Sequence, residues 1–184
     1  MKIEYPEIGV CGLSCRLCPN YQSTSASRCG GCKSDGRMRV GCPFITCAAK
    51  KRGIEFCWQC PEQEGCERWH GHRRRGQIRD SFVCYQRLEK NIAFVRDRGI
   101  SAFVEDQRER ENLLLRMLNG FNEGRSKSFY CIVATVMDTQ EITRAIAQVE
   151  EESAGGDVLS RRRALHAWFE RIAKEKNYNL KLRK

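Results

Sequence analysis

Two unlike segments are expected in this chain: a small Cys-rich, metal-stapled domain, then an all-α helical domain. Three observations predict this. Ten of the twelve cysteines fall between Cys11 and Cys66. Over residues 1–76, Leu, Ile, Val and Phe are too sparse to build a core alone, so that segment needs a staple. From about Asp80 onward the apolar residues recur at helical spacing. The domains are accordingly drawn at 1–76 and 77–184, within the 184 residues expected of one ordinary domain or two small ones.

The opening residues Met1-Lys2-Ile3-Glu4-Tyr5-Pro6 hold no apolar run of signal-peptide length. No window of about 18 apolar residues exists, which argues against a membrane partner. The expected compartment is the cytoplasm, where thiols stay reduced and clustered cysteines serve as metal ligands more often than as disulfides.

The cysteine spacing is C-x3-C-x2-C-x10-C-x2-C-x9-C-x4-C-x9-C-x2-C-x5-C. The candidate metal ligands are Cys11, Cys15, Cys18, Cys29, Cys32, Cys42, Cys47, Cys57, Cys60 and Cys66. Three of the intervals are C-x2-C pairs, in which one tight turn presents two sulfurs to a single ion. Turn residues flank them at Cys18-Pro19, Cys29-Gly30-Gly31-Cys32, Cys42-Pro43 and Cys60-Pro61. Four ligands close a tetrahedral site. The simplest sets are Cys15, Cys18, Cys29 and Cys32, then Cys42, Cys47, Cys57 and Cys60. Cys11 and Cys66 are left to replace a neighbour or to extend the sites into multinuclear clusters, and interleaved sites remain open.

Zinc is the first expectation for the ion, because it favours all-cysteine tetrahedra and C-x2-C knuckles. The alternative is [4Fe–4S], which four thiolates also hold. The ferredoxin run C-x2-C-x2-C-x3-C-P is absent. His70 lies four residues after Cys66 at a spacing compatible with zinc, although a solvated histidine is the ordinary reading.

The stretch Arg68–Arg79 carries Arg68, Arg73, Arg74, Arg75 and Arg79 around Trp69, His70 and His72. Arginines beside an aromatic suit phosphates and a stacked base, while a solvated linker or a patch for an acidic protein is the plainer alternative. A protein or nucleic-acid partner is expected here. The formal charge of +10 is weaker support than it looks. Each zinc held by four thiolates carries a net −2, so two such sites would bring the chain to about +6.

In the second segment, Asp80 or Ser81 suits a helix cap before Tyr85, Leu88, Ile92 and Val95. A further helix is expected from Ser101 to about Asn119. The stretch Ser128–Met137 suits a strand as well and is assigned to helix. Asp138-Thr139-Gln140-Glu141 reads as a capping box ahead of the stripe Ile142, Ala145, Ile146, Val149. Gly155-Gly156 breaks the chain, and Asp157 caps a helix bearing Leu165, Trp168, Phe169, Ile172 and Ala173. Cys84 and Cys131, set among apolar neighbours, read as buried structural thiols.

The run Cys11–Cys18 matches C-x3-C-x2-C and resembles the cluster motif of radical S-adenosylmethionine enzymes. Leu17 stands where that family usually has an aromatic residue, and the alternating strands and helices of its barrel do not follow. A longer resemblance covers about residues 8–70. Cys11-Gly12-Leu13-Ser14-Cys15-Arg16-Leu17-Cys18-Pro19 is followed by Tyr21, Cys29-Gly30-Gly31-Cys32, Cys42, Thr46-Cys47-Ala48 and Cys57-Trp58-Gln59-Cys60. This is similar to a cysteine-rich domain family of unknown function found mainly in anaerobic archaea and bacteria. The resemblance implies metal binding and an anaerobic source, in which an oxygen-sensitive cluster is more tolerable. It supplies no catalytic residues.

No Walker loop, dinucleotide fingerprint, nucleophile elbow or paired-carboxylate motif is present. The function expected is therefore a metal-binding protein with two structural zinc sites that binds another macromolecule. The alternative is an iron–sulfur protein acting in electron transfer or metalloenzyme maturation.

Overall fold

A computed structural model describes residues 3–153 and 155–184. The chain is mostly helical and forms no sheet among those residues. One isolated antiparallel bridge pairs Ile8 with Ser14. That bridge makes a small hairpin, closed by Gly9 N to Leu13 O at 2.8 Å and Cys15 N to Glu7 O at 2.7 Å, with Cys11 at its tip.

Among the described residues, seven helices follow in order. α1 is Asp35–Val40, and α2 is Pro43–Ile45, running on into a wider π-helical stretch at Thr46–Lys51. α3 is Glu67–Ile78. α4 is Leu88–Phe121, interrupted at Gly99, where φ is 82° and ψ 166°. α5 is Lys127–Val136, α6 Thr139–Glu152 and α7 Val158–Lys176. Among the described residues, no helix is long and apolar enough to cross a membrane. The residue 76 boundary drawn from composition falls inside α3.

The helical half packs around Leu114, Met117, Tyr130, Val133, Met137, Ile142, Ile146, Leu165 and Phe169, all essentially fully buried. Each such side chain contributes about 1.5–3 kcal/mol by leaving water. The cap at Asp138 forms as expected and accepts from Gln140 N at 2.9 Å. Glu141 does not reach back to complete the box; it turns inward to pair with Lys176. Asp157 accepts from Ser160 N at 2.7 Å and opens α7. The ambiguous stretch at 128–137 is helical, and its carbonyl end is capped by buried Arg110, which donates to Ala134 O and Met137 O at 3.0 and 2.9 Å. A cation there complements the helix dipole.

One helix begins later than the sequence suggests. Asp80 caps nothing, and the helix starts at Leu88. The Asp80 carboxylate instead accepts from Tyr85 N at 2.6 Å and from the backbone and side chain of Arg183. It fixes a turn and ties down the C-terminal tail.

The Cys-rich segment docks on α4 through three apolar contacts. Leu17 joins the helical core. Ile8 and Phe56 pack with Val95, Phe103 and Val104. Leu13 and Trp69 pack with Leu88 and Ile92. Polar ties add direction: Arg16 bridges Glu7 and Glu111, and Asn91 donates to Gly12 O at 3.1 Å.

Candidate metal centre

The cysteine turns follow from local geometry. Cys15–Leu17 and Cys57–Gln59 are single 3-10 turns, closed by Cys18 N to Cys15 O at 3.0 Å and Cys60 N to Cys57 O at 3.2 Å. With three residues per turn, side chains at i and i+3 eclipse, so both sulfurs of each C-x2-C pair leave on one side. The pair Cys29/Cys32 turns at Gly31, whose φ of 101° suits glycine. A Cβ there would also sit 3.3 Å from Pro6 O and 3.8 Å from Cys15 Sγ. Cys42 precedes Pro43 at the start of α2, and Cys66 caps the start of α3.

These turns sort the ten thiols into two adjoining cavities. Cys47, Cys57, Cys60 and Cys66 line one of about 30 Å³. Cys11, Cys15, Cys18, Cys29, Cys32 and Cys42 line the other, about 320 Å³. Phe44 borders both. The arrangement differs from the simplest pairing read off the spacing. Cys42, at the start of α2, lines the six-thiol cavity, and Cys66, at the start of α3, lines the four-thiol one. Among the described residues, no three or more Cys, His, Asp or Glu side chains stand close enough together to hold a metal ion as they are placed.

Burial governs the free thiols. It pushes Cys11 and Cys57 up to about 12 and raises Cys18 as well. Cys15 and Cys32 form a hydrogen-bonded pair in which Cys15 holds its proton more tightly and Cys32 is biased toward thiolate. An arginine stands at the rim of each cavity, Arg37 beside Cys29 and Arg52 beside Glu62 and Cys47. Lys33, buried on Glu55 at 2.8 Å, lies near Cys15 and Cys32.

The donor sets suit thiophilic metals. Four thiolates match the tetrahedral sphere of zinc, and the same donors suit iron–sulfur clusters. The larger cavity owes part of its room to Gly9, whose added Cβ would stand 3.6 Å from Cys11 Sγ and 3.7 Å from Cys32 Sγ.

His70 lines neither cavity; its ring meets Glu64 O at 2.7 Å. His72, rather than His70, borders the six-thiol cavity. Its ring packs on Phe44, Trp69 and Tyr85, and its buried Nε2 has no hydrogen-bond partner among the described residues. Burial, helped by Arg75, lowers its pKa. Spacing alone gave no reason to prefer it to His70. Arg37 and Tyr85 carried no motif either. Cys84 and Cys131 line neither cavity and are buried in the helical core, with burial raising them to about 11 and about 12; Cys18 lies near Cys131.

The basic stretch lies on helix α3, except Arg79, which follows its end. Trp69 is 2% exposed and belongs to the core, so it is not a platform for a base. Arg73 pairs with Glu89 and Arg74 with Glu67. Arg68, Arg75 and Arg79 face solvent and form no salt bridge among the described residues.

Residues 7–71 match the model of a family described as "Protein of unknown function (DUF3795)". The matched span holds all ten clustered cysteines and ends within α3. No curated protein and no solved structure matches the chain.

Proposed function

We propose that this chain is a metal-binding protein whose N-terminal segment folds around thiolate-bound metal, with zinc in the four-thiol set. The observation that carries this reading is the gathering of all ten clustered thiols around two adjoining cavities. Zinc takes four thiolates at about 2.3 Å and, so enclosed, keeps no open position for substrate. Its role is then to hold a surface in shape. The surface best suited to a macromolecular partner is that of Arg68 and Arg75 on α3 and Arg79 just past its end, which supports attraction to phosphates or to an acidic protein. This reading requires a reducing compartment such as the cytoplasm.

A second reading rests on the greater room of the six-thiol cavity. The six-thiol cavity, at about 320 Å³, has room for a [4Fe–4S] cluster, and the chain would then serve electron transfer or metalloenzyme maturation. Anaerobic purification with zinc, iron and acid-labile sulfide measured per chain separates the two. Zinc without colour is expected. Iron with matching sulfide and broad visible absorbance would replace zinc with the cluster. For the surface, an Arg68→Glu/Arg75→Glu/Arg79→Glu variant is expected to lose binding to the partner recovered with wild type; unchanged binding removes α3 from the reading.

A further inference from the structure

The six-thiol cavity poses a problem of donor number. A tetrahedral ion takes four thiolates. One ion in this cavity leaves two thiols idle, and two separate ions would need eight. Two ions that share two bridging sulfurs use all six.

The positions of the thiols fit that division. Cys15 and Cys32 sit together, with Cys32 N–H donating to Cys15 Sγ at 3.2 Å. On one side lies Cys11, whose sulfur and that of Cys32 both approach the space above Gly9, at 3.6 and 3.7 Å. The thiol neighbours of Cys11 are Cys32 and Cys42 in this cavity and Cys57 of the four-thiol one. On the other side lies Cys18, whose neighbours are Cys29 and Cys32. Cys32 thus faces both outer pairs, and Cys15 touches Cys32 and neighbours Cys18. We infer that this cavity holds two metal ions bridged by Cys15 and Cys32, with Cys11 and Cys42 completing one ion and Cys18 and Cys29 the other. The inference rests on the metal-binding reading above.

Charge and space agree. Two divalent ions with six thiolates carry a net −2, and Arg37 stands beside these same sulfurs, while the charge of nearby Lys33 is already paired with Glu55. The cavity, at about 320 Å³, is the roomier of the two. Glycines at 9 and 31 leave the sulfurs free of side-chain methyls.

Native mass spectrometry of the full chain loaded anaerobically with zinc tests the assignment. Three ions per chain are expected. Cys32→Ser removes both ions of the pair and leaves one, whereas Cys42→Ser or Cys29→Ser removes one and leaves two. Two ions in the wild type, with Cys32→Ser and Cys42→Ser each losing the same single ion, overturns the pair and leaves the metal-binding reading standing. Iron with sulfide in this cavity overturns it as well. A chain that binds no metal removes both. Should the variants fail to fold, the cadmium-113 spectrum of the cadmium-loaded wild type decides. Two resonances coupled to each other and a third uncoupled support the bridge; resonances with no mutual coupling overturn it.

Discussion

The amide of Cys32 donates to the sulfur of Cys15 at 3.2 Å, across 17 residues of chain. This contact joins the hairpin and 3-10 turn of the first cysteine triplet to the Cys29-Gly30-Gly31-Cys32 turn. N–H groups aimed at sulfur stabilise the thiolate form that a metal requires. The contact also lies where the six thiols divide into two groups of neighbours. The predictions below follow from that division and from the packing that supports it.

The four-thiol set should behave as a unit separate from Cys42. Serine at Cys47, Cys57, Cys60 or Cys66 is expected to remove the same single ion, because each deletes a quarter of one tetrahedral sphere. Cys42→Ser should leave that ion in place. Metal content with mass mapping of alkylated cysteines reads this directly, since unprotected thiols in the Cys66 variant should be Cys47, Cys57 and Cys60.

The sequence made part of this legible. The cysteine spacing pointed to the ten thiols that line the two cavities, and Asp138, Asp157 and the stripe Ile142–Val149 marked real helices, because caps and periodicity are local physics. The partition was not legible. It depends on which cavity Cys42 and Cys66 line, and that is set by tertiary packing. Asp80 misled for a related reason: its carboxylate suits a cap, yet Arg183, 103 residues away, claims it. Trp69 reads as an exposed aromatic among arginines, and only its packing on Leu13, Leu88 and Ile92 puts it in the core.

Gly9→Val should empty the six-thiol cavity and spare the four-thiol one. Its branched side chain would start 3.6–3.7 Å from the sulfurs of Cys11 and Cys32 and 3.3 Å from Leu13 O. Metal content is expected to fall to one ion per chain, with helicity by circular dichroism retained. Full metal content in a folded Gly9→Val chain would mean that this space is not the metal position.

Asp80→Asn should loosen the C-terminal tail. Burial pushes Asp80 up, but hydrogen bonds from the Arg183 side chain and backbone and from Tyr85 N outweigh it and hold its carboxyl below the ordinary range. A depressed carboxylate stabilises the fold above its unfolded pKa, and that contribution is lost as pH falls through the folded value. Asp80→Asn is therefore expected to cost about 1.5–3 kcal/mol at neutral pH, as for hydrogen bonds to a charged group. The difference from wild type should shrink toward zero on acidification below the usual carboxylate range. Urea unfolding at neutral and acidic pH gives the comparison, and a gap that persists in acid would contradict the assignment.

Glu55→Gln should cost more than Lys33→Met. Glu55 accepts from Lys33 Nζ and from Tyr5 N, both at 2.8 Å, and Lys33 Nζ lies 3.9 Å from the Phe56 ring centre. Removing the carboxylate leaves the fully buried ammonium without its counter-charge, a loss of about 3–5 kcal/mol. Replacing Lys33 with methionine keeps the contact with Phe56 and removes the charge that needed pairing. Denaturant midpoints should rank wild type, Lys33→Met, Glu55→Gln in falling order, and the reverse order of the two variants would count against the pair.

The most direct test of metal-directed folding is the mass of the anaerobically purified chain under native conditions, compared with its mass after acid denaturation. The account predicts a native mass raised by three zinc ions, all lost on denaturation, with the ten cysteines from Cys11 to Cys66 protected from alkylation until the metal leaves. A native mass equal to that of the bare chain, with those ten thiols alkylated at once, would contradict it.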